Sequence, residues 1–433
     1  MASSIGSGAA MVSFGGGPSR VVNKTYISAV LALKENGAKR IISPRFGLKG
    51  ILDSDSPLVY DLMSQPESLL TQIANQAGAA AGTARRKLDA AKGEPERLLE
   101  ILKKNDVHYY YPIGGDDTAS QCLSLQEAAT AANYELVTIH MAKTIDNDLN
   151  GHHHTPGYGS AALYTIHAVH GIEADNRSIG GVQIVVCMGM TAGFLSAAPV
   201  FVQTSAGSAD AGPHAFFLPE QAYSSPQEFA DFFTGKVAGI YDQFGRALVV
   251  VSEGVGVTYK DVGGKMKKMP LLKYILDMKG DKAVDNHFGS ISLSRGTALG
   301  DFLVNMVKSK ISTDVRSTTL GYPQRSFPSL VSAPDAADAA LVGEWAVNYT
   351  LNGESAGSVA LNSPELRNSS HPVSLIPLSV AGIGKREMPQ VFLSGQGCLI
   401  NTGAFLDYLL PLVGNELPPP IRVLEPRYAE FKV

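Results

Sequence analysis

Cysteine and charged side chains are both scarce in this sequence. Only three cysteines, Cys122, Cys187 and Cys398, occur among 433 residues, and they are far apart. A disulfide framework is therefore not expected, and a reducing cytoplasm is the predicted compartment. Asp, Glu, Lys and Arg make up 18% of the chain, against about 25% in average soluble domains. Low charge with 44 glycines is typical of closely packed helix-on-sheet layers or of surface buried between subunits.

Long hydrophobic runs and a strong net charge are also missing. The longest apolar runs, such as QIVVCMGM and ALVVVSEG, have the length of a strand and cannot span a bilayer. The formal net charge of −4 argues against general binding to nucleic acid or to a membrane surface. The opening residues MASSIGSGAA lack a basic segment and a long apolar core, so we expect a loose leader and no signal peptide.

Short apolar runs alternate with helical patterns over the first 252 residues. Helical stretches such as NKTYISAVLALKEN and ASQCLSLQEAATAAN follow runs that predict strands, namely AMVSF, KRIISP, HYYYPI, ELVTIHM, QIVVCMGM, HAFFLP and ALVVVS. This alternation indicates βαβ units and parallel sheets. We therefore predict an α/β fold of two doubly wound, Rossmann-like domains with the active site in the cleft between them. The polar stretch KDVGGKMKK, residues 260–268, interrupts the pattern and predicts a mobile loop.

Ligands of open α/β sheets collect at the carboxyl ends of the strands. After the first predicted strand comes GGGPSRVVN, a glycine turn whose N–H groups could approach a phosphate. Such turns are common in α/β proteins and also occur without a ligand. After the third strand comes GGDDT, where Asp116 could hold Mg²⁺, an ion that prefers oxygen ligands. The alternative is an aspartate that caps the following helix.

The stretch AKTIDNDLNG follows the fourth predicted strand and is the most densely functionalised part of the sequence. Lys143, Thr144, Asp146 and Asp148 lie within six residues there. Because the side chains of a strand alternate, Thr144, Asp146 and Asp148 would point to one side. A lysine keeps nearby carboxylates ionised, and one carboxylate can accept a proton from a substrate hydroxyl. Together with GGDDT, this stretch predicts a phosphoryl-transfer site.

The motifs GGDDT, KTIDND, TPGYGSA, MGM, VSEG and LGYPQRSF together resemble the phosphofructokinase family. The resemblance runs from Gly15 to about Val331 in the same order and spacing, and it is strongest to the pyrophosphate-dependent, bacterial long-chain branch. It implies transfer of a phosphoryl group from inorganic diphosphate to the 1-hydroxyl of fructose 6-phosphate, with Mg²⁺, in a cytoplasmic homodimer or homotetramer. It also implies a diphosphate- and Mg²⁺-binding domain (1–158), a sugar-phosphate-binding domain (159–324) and a C-terminal segment (325–433) that completes both.

On the donor side, the resemblance implies a reason for the second aspartate of GGDDT. Family members that use ATP have glycine at the positions of Asp117 and Lys143. A carboxylate at Asp117 would occupy the space that the α-phosphate of ATP needs, and its negative charge would repel that phosphate. Lys143 would supply positive charge to the short donor. The resemblance further implies that Asp116 holds Mg²⁺ and that diphosphate or its transferred group is contacted by Gly16, Gly17, Arg85, Gly115 and Thr118.

On the acceptor side, the resemblance implies that Asp146 deprotonates the 1-hydroxyl of fructose 6-phosphate. Thr144 and Asp148 would position that hydroxyl and the metal, and Glu253 would bind sugar hydroxyls. Guanidinium groups suit a phosphate anion. The implied contacts to the 6-phosphate and the rest of the sugar are Arg316, Tyr322, Arg325, Met188, Gly189 and Met190.

Two departures from the family pattern leave alternatives open. The family triplet MGR reads MGM here, so that Met190, which can neither donate a hydrogen bond nor carry charge, replaces an arginine. The loop GHHHTPG has His152 and His153 where the family has Thr and Asp; altered packing, a phosphate contact or a transition-metal site could follow. Three hypotheses remain: a diphosphate-dependent phosphofructokinase, an enzyme with the same donor but another acceptor such as sedoheptulose 7-phosphate, or a non-catalytic binding or regulatory subunit.

Overall fold

Two parallel sheets organise the part of the chain that the structure describes. The structure is a computed structural model, and it describes residues 4–205, 210–221, 223–260, 264, 266–278, 285–286, 290–291, 297–311, 313–395, 398–422 and 424. Its strands are β1 (Ala9–Phe14), β2 (Arg40–Pro44), β3 (Val59–Asp61), β4 (Val107–Gly114), β5 (Val137–Ala142), β6 (Gly181–Cys187), β7 (Ala215–Phe217), β8 (Arg246–Ser252), β9 (Gly256–Lys260), β10 (Met266–Pro270), β11 (Asp285–Asn286), β12 (Ser290–Ile291), β13 (Val315–Thr319), β14 (Ala356–Leu361) and β15 (Val373–Ile376).

Helices connect most of these strands. They are α1 (Val22–Glu35), α2 (Gly47–Leu52), α3 (Glu67–Ala74), α4 (Glu94–Lys104), α5 (Asp116–Ala131), α6 (Tyr158–Ile179), α7 (Phe194–Ala197), α8 (Val200–Ser205), α9 (Pro226–Phe244), α10 (Leu271–Met278), α11 (Ala298–Lys308), α12 (Pro323–Ser326), α13 (Ala333–Leu351), α14 (Leu378–Ala381) and α15 (Thr402–Val413). In the described residues, no helix has both the length and the apolar character needed to cross a membrane.

The first sheet has seven strands in the order β15-β14-β5-β4-β1-β2-β3. Its central strands are parallel, and only the edge strands β3 and β15 run antiparallel to their neighbours. Side chains alternate between two buried faces: Val12 packs into the core on the side of α1 and α13, and Met11 packs into the core on the side of α4 and α5. Burial on both faces explains why these strands read as continuous apolar runs.

The second sheet has four strands, all parallel, in the order β13-β6-β8-β7. Val185 of β6 faces a core shared with α6 and α15, and its neighbour Ile184 faces a core shared with α9 and α11. The two sheets, each covered by helices on both faces, confirm the predicted α/β fold class and the seven predicted strands. The chain after α13 contributes to both regions, because β14 and β15 extend the first sheet and α15 packs against α6.

The two ends of the stretch KDVGGKMKK, predicted to be a mobile loop, belong to a hairpin. Strands β9 and β10 pair antiparallel, with Lys260 opposite Met266 and Thr258 opposite Lys268. Residues 261–263 and 265 lie outside the described part. The prediction of a loop was wrong for the flanking residues, because a two-stranded ribbon can satisfy its backbone hydrogen bonds while it exposes polar side chains, such as Lys267 and Lys268.

Candidate active site

A cavity lies where the carboxyl ends of the two sheets face each other. Its lining includes one residue after each of five strands: Gly16 after β1, Asp116 after β4, Lys143 after β5, Met188 after β6 and Glu253 after β8. This is the position in which open parallel sheets bind ligands. The fold therefore brings together five segments that are far apart in the sequence, each of which follows a strand.

Most of the sequence-predicted site residues line this cavity. They are Gly16, Gly17, Arg85, Gly115, Asp116, Asp117, Thr118, Lys143, Thr144, Asp146, Met188, Met190, Glu253 and Arg325. Three others contact its edge: Asp148 lies 3.0 Å from the Lys385 ammonium, Gly189 donates its N–H to Glu253, and the Tyr322 ring stacks with Arg325.

The glycine turn after β1 is shaped by close backbone approach. Gly16 has a φ of +73°, a conformation that residues with a Cβ rarely adopt. A Cβ at Gly17 would lie 2.8 Å from the Arg325 guanidinium, and one at Gly15 would lie 2.5 Å from Thr118 Oγ1. The turn therefore requires small residues so that Thr118 and Arg325 can pack against the backbone beside the cavity.

The two aspartates of GGDDT are the first two residues of α5. No side chain caps this helix, so the cap that the sequence left open as an alternative is not formed by Asp116. Carboxylates in a first turn are favoured by the helix dipole. Asp117 Oδ1 also lies 2.7 Å from the Lys87 ammonium, and Asp116 Oδ2 lies 3.5 Å from the Lys385 ammonium. Both carboxylates are therefore compensated by lysines that also line the cavity.

The loop after β5 is held in place by hydrogen bonds. Asn147 has a φ of +58°, and its Oδ1 accepts a hydrogen bond from the backbone N–H of Thr155, 3.1 Å away. Thr144 Oγ1 accepts from the Asp146 N–H at 3.1 Å, and Thr155 Oγ1 donates to the Thr144 carbonyl. The loop conformation therefore presents Lys143, Thr144 and Asp146 to the cavity from a fixed backbone.

Lys143 is the most deeply buried cation of the cavity. Its side chain passes under the glycine turn, where Nζ donates to the carbonyl of Gly17 at 2.6 Å and to that of Gly15 at 3.3 Å. Burial, followed by the positive charges of Arg325 and Arg85, lowers the pKa of Lys143 to about 8. These cations point toward the same space, which is therefore suited to a highly charged anion.

Three carboxylates form an acidic cluster next to these cations. Burial, and then the negative charge of Asp146, raises the pKa of Asp148 to about 6; burial also raises the pKa of Asp146. The Lys385 ammonium contacts Asp148 and Asp116. Although burial alone would lower the pKa of Lys385, the negative charges of Asp148 and Asp116 raise it. The cavity thus has a carboxylate that can accept a proton beside cations that can neutralise phosphates.

The end of the cavity formed by the second sheet includes Glu253 and Met190. Glu253 Oε1 accepts a hydrogen bond from the Gly189 N–H at 3.3 Å. The Arg325 guanidinium lies over the Tyr322 ring, 4.3 Å from its centre. Burial, followed by the Arg85 charge, lowers the pKa of Arg325. Met190 packs against the apolar core of the second sheet, so the residue that replaces the family arginine adds an apolar surface to this end.

The structure does not bring Arg316 to the cavity. Arg316 is the second residue of β13, and its Nη2 donates to the Gly180 carbonyl, just before β6, at 2.8 Å. Its guanidinium also faces Asp314, with an Nε–Oδ2 distance of 3.2 Å. Strands rise about 3.3 Å per residue. Arg316 therefore lies at the amino end of β13, whereas Tyr322 and Arg325 follow its carboxyl end, where the cavity is. Within this chain, Arg316 therefore lies away from the cavity, and its contact with the 6-phosphate stays a prediction.

The triple-histidine loop packs against protein and does not line the cavity. His154 Nε2 lies 2.9 Å from Asp338 Oδ2, and His153 Nδ1 lies 2.9 Å from His154 Nδ1. His152 Nδ1 lies 2.8 Å from the Asn150 carbonyl oxygen. In the part of the chain that the structure describes, no group of three or more His, Cys, Asp or Glu side chains could hold a metal ion. Of the alternatives for this loop, altered packing fits the geometry.

Two lysines of the cavity were missed by sequence reasoning. Lys87 follows Arg85 in the run RRK, so its proximity could have been inferred from its neighbour. Lys385 lies in a C-terminal segment, GIGKREMP, that contains none of the motifs used above. Nothing local in that segment indicates that its lysine reaches Asp116 and Asp148.

Comparison with known proteins agrees with this geometry. The family model described as phosphofructokinase matches residues 9–350. The chain is 35% identical to the pyrophosphate–fructose 6-phosphate 1-phosphotransferase of Rhodospirillum rubrum, over 98% of each chain. It is 30% identical to the protein of the same name from Xanthomonas campestris, over 93% of this chain and 91% of that one.

A solved structure extends the likeness to three dimensions. The pyrophosphate-dependent phosphofructokinase of Nitrosospira multiformis matches with a TM-score of 0.74 at 25% identity, over 96% of this chain and 94% of that one. The match therefore extends over nearly the whole of both chains. The chain belongs to the phosphofructokinase family.

Proposed function

We propose that this protein transfers a phosphoryl group from inorganic diphosphate to the 1-hydroxyl of fructose 6-phosphate, giving fructose 1,6-bisphosphate and phosphate. The main support is that Asp117 and Lys143, the two residues implied to select the donor, line one cavity together with Asp146. The names of the two bacterial relatives, which match nearly the whole chain, support the same reaction.

The donor would bind at the cationic end of the cavity. Backbone groups of Gly16, Gly17 and Gly115 and the hydroxyl of Thr118 lie around the space that Lys143 enters. Diphosphate lacks a nucleoside that could anchor it, so its binding energy must come from charge and hydrogen bonds to phosphate oxygens. Arg85 lines the same space and would neutralise charge on the transferred group.

Mg²⁺ would be held by Asp116. The Asp116 carboxylate lines the cavity, and its Oδ2 lies 3.5 Å from the Lys385 ammonium, so this carboxylate already attracts a cation beside the donor space. Mg²⁺ is commonly bound through one or two carboxylates and substrate phosphates, and Asp116 fits that pattern. When bound, the ion would neutralise negative charge on the diphosphate oxygens.

The acceptor would be activated by Asp146. In the reaction, the oxygen of the 1-hydroxyl forms a bond to phosphorus, the bond to the leaving phosphate breaks, and the hydroxyl proton passes to the Asp146 carboxylate. The raised pKa of Asp146, caused by burial, makes it a better proton acceptor than an exposed aspartate. Thr144 and Asp148 would position the hydroxyl, Glu253 would bind sugar hydroxyls, and Arg325 with Tyr322 would contact the 6-phosphate.

We further propose the organisation of the protein. Residues 1–158 would form the diphosphate- and Mg²⁺-binding domain and residues 159–324 the sugar-phosphate-binding domain, with 325–433 completing both. Two sheets in separate parts of the chain, joined by the strands and helices after α13, support these boundaries. The protein would act in the cytoplasm as a homodimer or homotetramer.

An assay of the purified full chain tests the proposed reaction. With Mg²⁺, diphosphate and fructose 6-phosphate, we expect formation of fructose 1,6-bisphosphate, measured by coupled oxidation of NADH. ATP should not replace diphosphate. Sedoheptulose 7-phosphate, assayed in parallel, tests a different acceptor. If neither sugar phosphate turns over while a control enzyme is active, the non-catalytic hypothesis replaces the proposed one.

The pH dependence of donor binding follows from Lys143. Its pKa of about 8 lies below the usual lysine value because of burial. The lysine is therefore charged below pH 8 and loses its proton as the pH rises above it. We expect kcat/KM for diphosphate to fall about tenfold per pH unit above pH 8, since kcat/KM reports the ionisation of the free enzyme.

The variant Lys143→Arg is the matched control for this profile. Arginine stays charged at every pH of the assay, whereas titration of diphosphate itself affects both proteins equally. The ratio of wild-type to variant kcat/KM, measured from pH 7 to 9.5, should therefore decrease above pH 8. A ratio that is constant across this range contradicts the role assigned to the Lys143 charge.

A further inference from the structure

Lys385 enters the cavity from a segment outside all the family motifs. The segment lies between α14 and a short 3₁₀ turn at Gln390–Phe392. Its ammonium is 3.0 Å from Asp148 Oδ2 and 3.5 Å from Asp116 Oδ2, and the lysine side chain is 37% exposed. The lysine therefore reaches the acidic cluster from the solvent side of the cavity.

Contacts on both sides hold this segment in place. The backbone N–H of Arg386 donates to the Asp148 carbonyl at 2.8 Å, and its guanidinium donates to the His153 carbonyl and lies 4.7 Å from the centre of the Phe194 ring. The N–H of Met388 donates to Glu220 Oε1 at 2.9 Å. Residues from the histidine loop and from the chain after β7 thus fix the backbone on either side of the lysine.

The triple-histidine loop also contacts the segment that contains Lys385. Its His153 carbonyl accepts hydrogen bonds from both Arg386 and Tyr408. The His154 ring is held by Asp338, which also binds the Arg367 guanidinium through two hydrogen bonds. The loop therefore anchors the segment through its backbone, and this contact does not depend on the side chain of His153.

Charge balance requires a cation at this position. Asp116, Asp146 and Asp148 place three carboxylates in one region, and like charges at short range in a partly buried site repel strongly. The Lys385 contact to Asp148 is shorter than its contact to Asp116. The lysine consequently engages Asp148 more closely and leaves Asp116 better placed for another cation.

We propose that Lys385 is a positioning residue of the phosphoryl-transfer site, which holds Asp148 away from the metal and leaves Asp116 to bind it. This inference rests on the proposed function. The contact with the ammonium would keep the Asp148 carboxylate beside the acceptor hydroxyl. Without the lysine, Asp148 would be free to bind the divalent cation, so the cation would bind more tightly and the acceptor hydroxyl would lose its positioning group.

The test combines metal binding with kinetics. Mn²⁺ binding to the full chain without substrates is measured from the loss of the free-ion signal in electron paramagnetic resonance. In Lys385→Met, the removal of a unit positive charge a few ångströms from the ion is expected to tighten Mn²⁺ binding by roughly tenfold. In the diphosphate assay with Mg²⁺, kcat is expected to fall by about a hundredfold, on the scale of losing one charged group at a reacting centre.

Three further variants define the outcome. Lys385→Arg keeps the charge, so Mn²⁺ binding should equal that of the wild type and kcat should stay within about tenfold of the wild-type value. Lys385→Gln repeats the neutral change should the methionine variant unfold. Lys310→Met removes an exposed lysine elsewhere and should change neither measurement.

Two results overturn the proposal: unchanged kcat in the neutral variants, or Mn²⁺ binding that is unchanged or weaker. Weaker binding together with lost activity and a lower melting temperature would indicate a merely structural role. An inactive wild-type protein would instead contradict the proposed function. In that case, tighter Mn²⁺ binding in Lys385→Met would still show that the lysine opposes binding of the metal.

Discussion

Replacement of Asp146 by asparagine is expected to lower kcat for the diphosphate reaction by about a thousandfold, within the range that general-base residues contribute. The amide keeps the shape of the side chain but cannot accept the proton of the acceptor hydroxyl. Asp146 lines the cavity beside Thr144 and Lys143, and the backbone hydrogen bond from its N–H to Thr144 Oγ1 does not depend on the carboxylate. The KM for diphosphate should change by less than about threefold, because the variant keeps the contacts that bind the donor equally in the ground state and in the transition state.

A stability measurement separates this catalytic effect from misfolding. Burial raises the pKa of Asp146, so the charged carboxylate is less favourable in the folded protein than in the unfolded chain. The neutral asparagine should therefore leave the melting temperature unchanged or higher. Asp242→Asn, at an exposed position of α9, is the matched control and should retain full activity. A kcat of Asp146→Asn within tenfold of the wild type contradicts the assignment of Asp146 as the base.

The double variant Asp117→Gly/Lys143→Gly is expected to lose activity with diphosphate and to gain activity with ATP. Loss of the buried ammonium that reaches Gly17 should lower kcat/KM for diphosphate by at least about a hundredfold, a scale typical of a lost charge contact at a reacting phosphate. Removal of the Asp117 carboxylate eliminates volume and negative charge at the start of α5, where the α-phosphate of ATP would come. ATP-dependent phosphorylation of fructose 6-phosphate should then become measurable.

The two single variants show whether these effects are separate. Lys143→Gly should lose diphosphate activity without gaining ATP activity, because Asp117 still blocks the larger donor. Asp117→Gly should admit ATP weakly and keep much of its diphosphate activity, since Lys143 remains. Coupled assays with each donor measure both properties. If the double variant uses no ATP at concentrations up to several millimolar, Asp117 and Lys143 do not select the donor.

Local sequence was sufficient to predict seven of the described strands and the functional residues that follow several of them. The run HYYYPI and the glycines after it predict β4 and the turn before α5, and the structure has both. Such predictions succeed because apolar periodicity and turn residues act over a few positions. The same reasoning failed at Lys260 and at residues 266–268, where backbone pairing between β9 and β10 outweighed a polar composition.

The position of Arg316 illustrates a different limit. Motif resemblance assigned it to the same phosphate site as Arg325, only nine residues later. A strand followed by a turn separates these two residues by the height of the sheet, so Arg316 contacts Gly180 while Arg325 lines the cavity. The sequence motif alone therefore did not show that Arg316 lies away from the cavity of its own chain, because that distance depends on the path of the backbone.

The amino-acid sequence by itself determined which residues follow the strands, and hence that a glycine turn follows β1 while carboxylates and a lysine suited to phosphoryl transfer follow β4 and β5. Only the tertiary structure decided that Lys385 joins Asp116 and Asp148, which precede it by more than 200 residues. The physical reason is that turn chemistry depends on adjacent residues, whereas compensation of a buried carboxylate depends on whichever charge the packed chain brings within a few ångströms.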